Sequence, residues 1–190
     1  MMFTSGGMLT GSEIEKQVKK GNIFISNFTK NQLNPNSYNL RIHPQLLVYN
    51  EKYALDMKSR NKTIQLNIPE EGLILKPGVL YIGRTVERTA SDKYIPMING
   101  RSSTGRLGLS IHVCAGFGDI GFDGTWTLEI TVVEPVRIYP NLEVAQVCFF
   151  KPVGKVNKLY RGRYYKQEDA TASRMHLPKK EESKFLGMDN

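Results

Sequence analysis

The sequence carries little with which to hold a metal ion. Its 190 residues include only three histidines, His43, His112 and His176, and two cysteines, Cys114 and Cys148. There is no Cys-x-x-Cys pair and no His-x-Glu element of the zinc-dependent nucleobase enzymes, so a zinc centre has no ligand cluster to stand on. His112 lies in a β-type run, where a packed or hydrogen-bonding role is expected rather than ligation. Each cysteine also sits in an apolar run, which predicts small buried thiols instead of a disulfide and suits a reducing, cytoplasmic setting.

Long apolar runs are missing as well. None approaches the roughly 18 residues of a membrane-spanning helix, so no membrane role is expected. The opening "MMFTSGGM" has neither a basic leader nor an apolar core, which argues against a signal peptide and makes residues 1–8 a flexible lead-in, with Met8 a plausible second start. The Gly-Lys-Ser/Thr ending of a P-loop is absent, as is a G-x-S-x-G nucleophile elbow, which removes support for those phosphate-binding and acyl-transfer chemistries. Recognition-helix, zinc-finger and RNP-like patterns are lacking too.

What is present is positive charge. The formal net charge is +8, and residues 155–184 hold nine Lys or Arg against four acids. Nucleic acid is the first partner to consider for such a chain. Without a nucleic-acid motif, a small polyanion such as a nucleotide fits better, because a few basic groups on a closing tail suffice to hold it.

One helix is legible, in "TGSEIEKQVKKGN". Ser12 and Glu15 have capping-box spacing, Ile14 and Val18 form an i, i+4 apolar pair, and Gly21 can end the helix in a left-handed turn. Short β-type runs punctuated by Gly, Pro, Asn and Asp follow up to Phe150, among them "YNLRI", "LLVY", "VLYIG", "LSIHV", "TWTLEITVV" and "VAQVCFF". This pattern predicts an all-β sandwich or barrel with a short N-terminal helix. The β domain is expected over 9–154, a C-terminal lid over 155–176 and a disordered tail over 177–190.

The stretch "NGRSSTGRLGLSIHVCAGFGDIGFDGTWTLEI", residues 99–130, concentrates the chemistry. "GRSSTGR" offers Arg101 and Arg106, the hydroxyls of Ser102, Ser103 and Thr104, and backbone amides around Gly100 and Gly105. Arginine binds oxyanions in a bidentate way and glycine lets the backbone approach, so the segment suits a chain of phosphates. Surface turns often have the same composition. Asp123-Gly124 reads as a tight hairpin turn. In "TWTLEITVV", Thr125, Thr127, Glu129 and Thr131 share one strand face, and Trp126, Leu128, Ile130 and Val132 the other. Glu129 is then either a solvent-facing carboxylate between threonines or a general base that a bound ligand would desolvate, with Arg106 placed to hold it.

Several separated motifs in order give the chain a family likeness. The central stretch resembles the signature of the dCTP deaminases, a branch of the trimeric dUTPase superfamily. "LNPNSYNLRI" is similar to that family's N-P-x-S-Y-D-L-R-L segment, "VAQVCF" to I-G-Q-L, and "YRGRYYKQEDATAS" to the Y-x-G-K-Y-x-x-Q tail. The likeness runs from about Met8 to Arg174. Asn39 stands where the pattern has Asp, Cys114 where it has Thr or Ser, Ile120 where Pro or Ala is frequent, and Ala145 where Gly is usual.

The resemblance implies a mainly β, distorted barrel of the dUTPase-like β-clip type, assembled as a homotrimer with active sites between subunits. It implies zinc-independent deamination of dCTP to dUTP and ammonia. Glu129 would activate water for attack on C4 of cytosine, Ser102 and Arg106 of a neighbouring subunit would position the water and Glu129, and the Ala115 backbone would help place that water. Arg101, Ser102, Ser103, Thr104, Gly105 and Arg106 match the triphosphate-binding segment, Asp119 the reader of the deoxyribose 3'-hydroxyl, and Thr127, Leu128 and Glu129 the lining of the base. Gln146, Tyr160, Arg163 and Gln167 match further nucleotide contacts. Magnesium would enter with the triphosphate, and dTTP would act as a feedback inhibitor. Gly116-Phe117 resembles the bifunctional branch, which continues to dUMP and diphosphate in the same site. A plain trimeric dUTPase and a non-catalytic nucleotide-binding regulator share the scaffold. The first would carry a D-x-D-Y-x-G hairpin and a glycine-rich tail motif, and the second would be expected to lose Glu129 or Arg106.

Overall fold

A computed structural model describes residues 6–50, 52 and 54–177. Of the expected lead-in and disordered tail, residues 1–5 and 178–190 lie outside the described residues. In chain order the elements are β1 (Gly7–Met8), α1 (Gly11–Lys19), β2 (Phe24–Ile25), β3 (Tyr38–Arg41), β4 (Gln45–Tyr49), β5 (Thr63–Asn67), β6 (Leu73–Leu75), β7 (Tyr81–Ala90), β8 (Ile95–Gly100), the helical turn α2 (Ser102–Gly105), β9 (Leu109–Ser110), β10 (Asp123–Val132), β11 (Val136–Ile138) and β12 (Glu143–Lys151). The expected mainly β architecture with one N-terminal helix is what forms.

Three antiparallel sheets share one core. In the first, β12 pairs with β1, β3 and β8; the second runs β5-β4-β7-β10-β9 with β2 also on β7; and β6 pairs with β11. Tyr38, Leu40 and Phe149 from the first, Leu46, Leu128 and Ile130 from the second, and Leu75 and Ile138 from the third all join the same buried cluster. Burying that apolar surface is the main favourable term in holding the sheets together.

Helix α1 is capped two residues earlier than the Ser12 spacing suggests. Thr10 is its N-cap, its hydroxyl accepting from the Glu13 amide at 3.3 Å, so the operative capping pair is Thr10 and Glu13. Ile14 drives the helix into the core.

Strand β7 runs well beyond the "VLYIG" that reads as β from sequence. Its inward positions Thr85, Glu87 and Thr89 are polar and no more than 1% exposed. They are tolerated because each is paired, as buried polar groups must be. Thr89 Oγ1 accepts from the Trp126 indole at 2.8 Å, and Thr85 Oγ1 accepts from the Trp126 amide at 2.9 Å and donates to the Glu87 carbonyl at 2.7 Å. The Glu87 carboxylate accepts from Gln32 and from the Arg41 side chain and amide at 2.6–3.0 Å.

The hairpin turn is not at Asp123-Gly124. Those residues open β10, with Asp123 opposite Ala90 and its carboxylate 2.6 Å from Arg88 Nη2. The turn falls at Ile120-Gly121, where Gly121 has φ of +91°, a conformation that costs a residue with a side chain. The cross-strand ion pair explains why the more turn-like dipeptide is drawn into the ladder.

Candidate active site

Strand β10 sits between two partners, and this fixes Glu129. Thr127 and Glu129 lie opposite Arg84 and Ile82 of β7, and Thr131 lies opposite Ser110 of β9. Beyond Ser110 the chain leaves the sheet but stays tied to Glu129. The Glu129 amide donates to the Ile111 carbonyl at 2.9 Å, and the Val113 amide donates to Glu129 Oε2 at 2.9 Å. A main-chain donor thus orients the carboxylate, and a charge-assisted bond of this kind is among the stronger ones.

The same departure from the sheet changes the expectation for Cys114. The apolar run predicted a buried thiol, but Cys114 is exposed, and only Cys148 is buried; both are free. Burial pushes the Cys148 thiol up from its ordinary pKa.

Glu129 faces a cavity of about 510 Å³, in the size range of small-molecule sites. Of the residues singled out in the sequence, Ala115, Phe117, Asp119, Thr127, Glu129, Tyr160 and Gln167 line it. Gly116 stands beside them, its carbonyl accepting from the Ile98 amide at 2.8 Å. Leu128 turns a fully buried side chain into the core, so only its main chain lies between Thr127 and Glu129. The strict alternation of β10 also fails at one point. The register with β7 shifts between Thr125 and Thr127, and Trp126, expected on the opposite face from Thr127, borders the same cavity. Such a bulge re-aims side chains beside a site.

The tail supplies the other wall. Gln167 forms a parallel bridge to Gly124, and the Thr125 amide donates to its carbonyl at 2.9 Å. The buried Gln167 side chain donates to the Thr125 carbonyl at 2.8 Å and to Thr127 Oγ1 at 3.1 Å, while its Oε1 is buried without a partner. The Tyr160 amide donates to the Ile120 carbonyl at 2.8 Å, and its ring stands 6.2 Å from Phe122, itself 4.5 Å from Trp126. Arg163 bonds within the tail, donating to the Leu177 carbonyl at 3.1 Å, and is not part of the lining.

Sequence reasoning missed several lining residues, among them Val113, Phe122, Trp126 and Tyr164. Val113 acts through its main chain, and the aromatics read as core, so neither left a signal that could be told from packing.

The basic segment is elsewhere. After β8 the chain makes the single turn α2, with Thr104 Oγ1 donating to the Arg101 carbonyl at 2.7 Å. Ser102, Ser103, Gly105 and Arg106 are exposed. Arg101 Nη1 pairs with the Glu143 carboxylate at 3.0 Å and donates to the Glu143 carbonyl at 2.9 Å. Arg101, Ser102 and Gly105 border a second, more open concavity with His112 and Ser110. None of residues 101–106 lines the Glu129 cavity, so Arg106 does not reach Glu129 within one chain. Gln146 borders neither concavity; its amide accepts from Ser37 at 2.9 Å and donates to the Gly100 carbonyl at 3.2 Å. His112 Nε2 lies 3.3 Å from Asn99 Oδ1, the hydrogen-bonding role expected of it. Among the described residues, no three His, Cys, Asp or Glu side chains come together to hold a metal ion.

Comparison with known proteins gives this geometry a context. A family model described as dCTP deaminase-like matches residues 8–152. A curated protein of Hathewaya histolytica named dCTP deaminase, dUMP-forming, is 57% identical over 157 residues, covering 83% of this chain and 90% of its own. A Clostridium beijerinckii protein of the same name is 51% identical over 169 residues, 89% of this chain and 96% of its own. The crystal structure of 2'-deoxycytidine 5'-triphosphate deaminase from Agrobacterium tumefaciens aligns with a TM-score of 0.62 at 18% identity over 77% of this chain. The chain spans about half of that structure, 49% of its length, and the likeness is one of fold.

Proposed function

The chain belongs to the dCTP deaminase-like family, and from that premise we propose that it hydrolyses dCTP to dUTP and ammonia and carries dUTP on to dUMP and diphosphate. The dUMP-forming step is supported by the name shared by relatives 49–57% identical. The observation that carries the deamination is the Glu129 cavity, with one oriented carboxylate among aromatic and hydroxyl-bearing walls.

Glu129 takes a proton from water as the oxygen attacks C4 and passes it to N3. It then takes the proton of the new C4 hydroxyl and delivers it to the exocyclic nitrogen as the C4–N bond breaks, leaving the C4 carbonyl and ammonia. The Ala115 main chain helps place the water. Asp119 accepts from the sugar 3'-hydroxyl, and Thr127 and Gln167 hold the base side. Tyr160, Arg163 and the rest of 155–176 close over the nucleotide. Nothing in a single chain brings a cation to this cavity from residues 101–106, so we take Ser102 and Arg106 from a neighbouring subunit of a homotrimer, with Arg101, Ser103, Thr104 and Gly105 binding the phosphates there. Gln146 stays a candidate contact beside them.

Magnesium enters on the triphosphate, held by phosphate oxygens, and no zinc takes part. dTTP shares the sugar and phosphates of the substrate and so competes for the same site as a feedback inhibitor. The reaction belongs in the cytoplasm, where deoxynucleoside triphosphates are made; no described helix is long and apolar enough to cross a membrane.

The test is incubation with dCTP and Mg²⁺, followed by separation of the nucleotides. Release of dUMP, diphosphate and ammonia is expected. Accumulation of dUTP alone would remove the second step, and unchanged dCTP would remove the proposal. Stoichiometric zinc in active protein would overturn the metal assignment.

A further inference from the structure

Behind Arg101 lies a polar network that the mechanism above does not use. Asn39 on β3 is 4% exposed. Its Nδ2 donates to Glu143 Oε2 at 2.8 Å, and its Oδ1 accepts from Asn34 Nδ2 at 2.7 Å. That same Glu143 oxygen stands 3.0 Å from Arg101 Nη1, which also donates to the Glu143 carbonyl at 2.9 Å. Asn34 Nδ2 further donates to Ser37 Oγ at 3.0 Å, and Ser37 donates to Gln146. The segment "NPNSYN", residues 34–39, therefore ends in two places: on the carboxylate that grips Arg101 and on the amide of Gln146.

We propose that Asn39 and Glu143 are positioning residues for Arg101, holding one edge of its guanidinium so that the other edge is presented to the substrate triphosphate. Among the described residues neither Nε nor Nη2 of Arg101 has a hydrogen-bond partner. A planar guanidinium gripped at one nitrogen has its remaining donors fixed in direction, and less rotamer entropy is lost when an oxyanion binds. Asn39 must be an amide for this to work. Glu143 Oε2 needs a donor on the side away from Arg101, and an ionised aspartate at 39 would set two acceptors 2.8 Å apart with no proton between them. The inference rests on the reading of Arg101 as a phosphate contact.

The test measures KM and kcat for dCTP across a small set of variants. Arg101→Ala reports on the underlying reading and should raise KM about tenfold or more, the scale of one charged hydrogen bond. Asn39→Asp should raise KM about tenfold above neutral pH with kcat nearly unchanged, and the defect should shrink in acid as the added carboxyl takes up a proton. In the Arg101→Ala background Asn39→Asp should have no further effect. The double variant Asn39→Asp with Glu143→Gln restores a bond between positions 39 and 143 with donor and acceptor reversed. The oxygen that accepts from both Asn39 and Arg101 Nη1 is, however, replaced by an amide nitrogen that cannot accept, so the grip on Arg101 is not regained and KM should stay raised several-fold. Glu143→Gln alone, which preserves shape, should raise KM several-fold and keeps the test alive if Asn39→Asp does not fold. Equal KM effects of Asn39→Asp with and without Arg101, or a parental KM in the folded double variant, would overturn the positioning role while leaving Arg101 as a phosphate contact. An unchanged KM in Arg101→Ala would overturn the reading and this inference together.

Discussion

The Glu129 cavity and the Arg101–Arg106 turn differ in how they are built. The cavity is walled on several sides, by β10, by the loop through Ala115 and Asp119, and by the tail at Tyr160 and Gln167. Its carboxylate is held by a main-chain amide. The turn is one helical turn on the surface, with Ser102, Ser103 and Arg106 exposed. The first region is a nearly finished site that has no cation from the turn. The second has the cations and no enclosure. Each has what the other needs, although one chain does not bring them together, and the proposed assembly of the working site from two copies rests on this contrast.

The largest effect should come from the carboxylate itself. Glu129→Gln keeps the shape and the Val113 bond but cannot accept the water's proton, so deamination should fall by about 10²-fold or more while dCTP still binds. Turnover above about a tenth of the parent's would show that another group is the base. Next, Arg106→Ala should also be nearly inactive. Mixing it with Glu129→Gln subunits and allowing exchange should restore about a quarter of parental activity, because random mixing leaves that share of interfaces with both residues intact. No recovery from well-mixed subunits, or an active monomer in light scattering, would break the comparison between the two regions.

A smaller effect is expected from the enclosing tail. Truncation before Tyr160 removes the Gln167 contacts and the Tyr160 anchor but no strand, since β12 ends at Lys151. The barrel should stay folded by circular dichroism while dCTP binding weakens by about tenfold to a hundredfold, the loss of one or two contacts of 1–2 kcal/mol. Unaltered binding would mean that the tail is not a lid. The smallest effect concerns pH at His43, near Asp169 of the tail. Burial, then the nearby Arg84 charge, lower the His43 pKa from 6.5, and its Nδ1 accepts from the Gln45 amide at 3.1 Å. A depressed pKa favours the neutral ring in the folded state, so this contribution is present above pH 6.5 and is lost as pH falls through the lower folded value. Urea midpoints should drop modestly below pH 6.5 and do so less in His43→Asn; an identical slope in that variant would assign the effect to another group.

The two regions were not equally legible in the sequence. Glu129 stood out because hydroxyl residues alternate with apolar ones around it, and α1 because its apolar spacing is helical. Strand β7 was half hidden, since Thr85, Glu87 and Thr89 put polar groups on the inside and so defeat a pattern that equates buried with apolar. The turn at Gly121 was missed because Asp123-Gly124 has stronger local turn chemistry, overridden by the Arg88 ion pair. Nor could spacing along one chain reveal that Arg106 lies outside the Glu129 cavity. That separation depends on where the loop after β9 leaves the sheet, and the bonds of the Glu129 amide to the Ile111 carbonyl and of the Val113 amide to the Glu129 carboxylate decide it.

Gly116 bears on how such a loop can diverge. A methyl group there would come within 2.7 Å of the Ile98 carbonyl and 3.1 Å of the His112 ring. Both neighbours are anchored, one in β8 and the other by Asn99. Phe117 beside it is 70% exposed, so packing of the fold sets little limit on its side chain even though it borders the cavity. Descendants of this sequence therefore have an open road at 117 and a barrier at 116, where a larger residue becomes tolerable only after the backbone itself has shifted. The order in which mutations accumulate is thus constrained before selection on any activity begins.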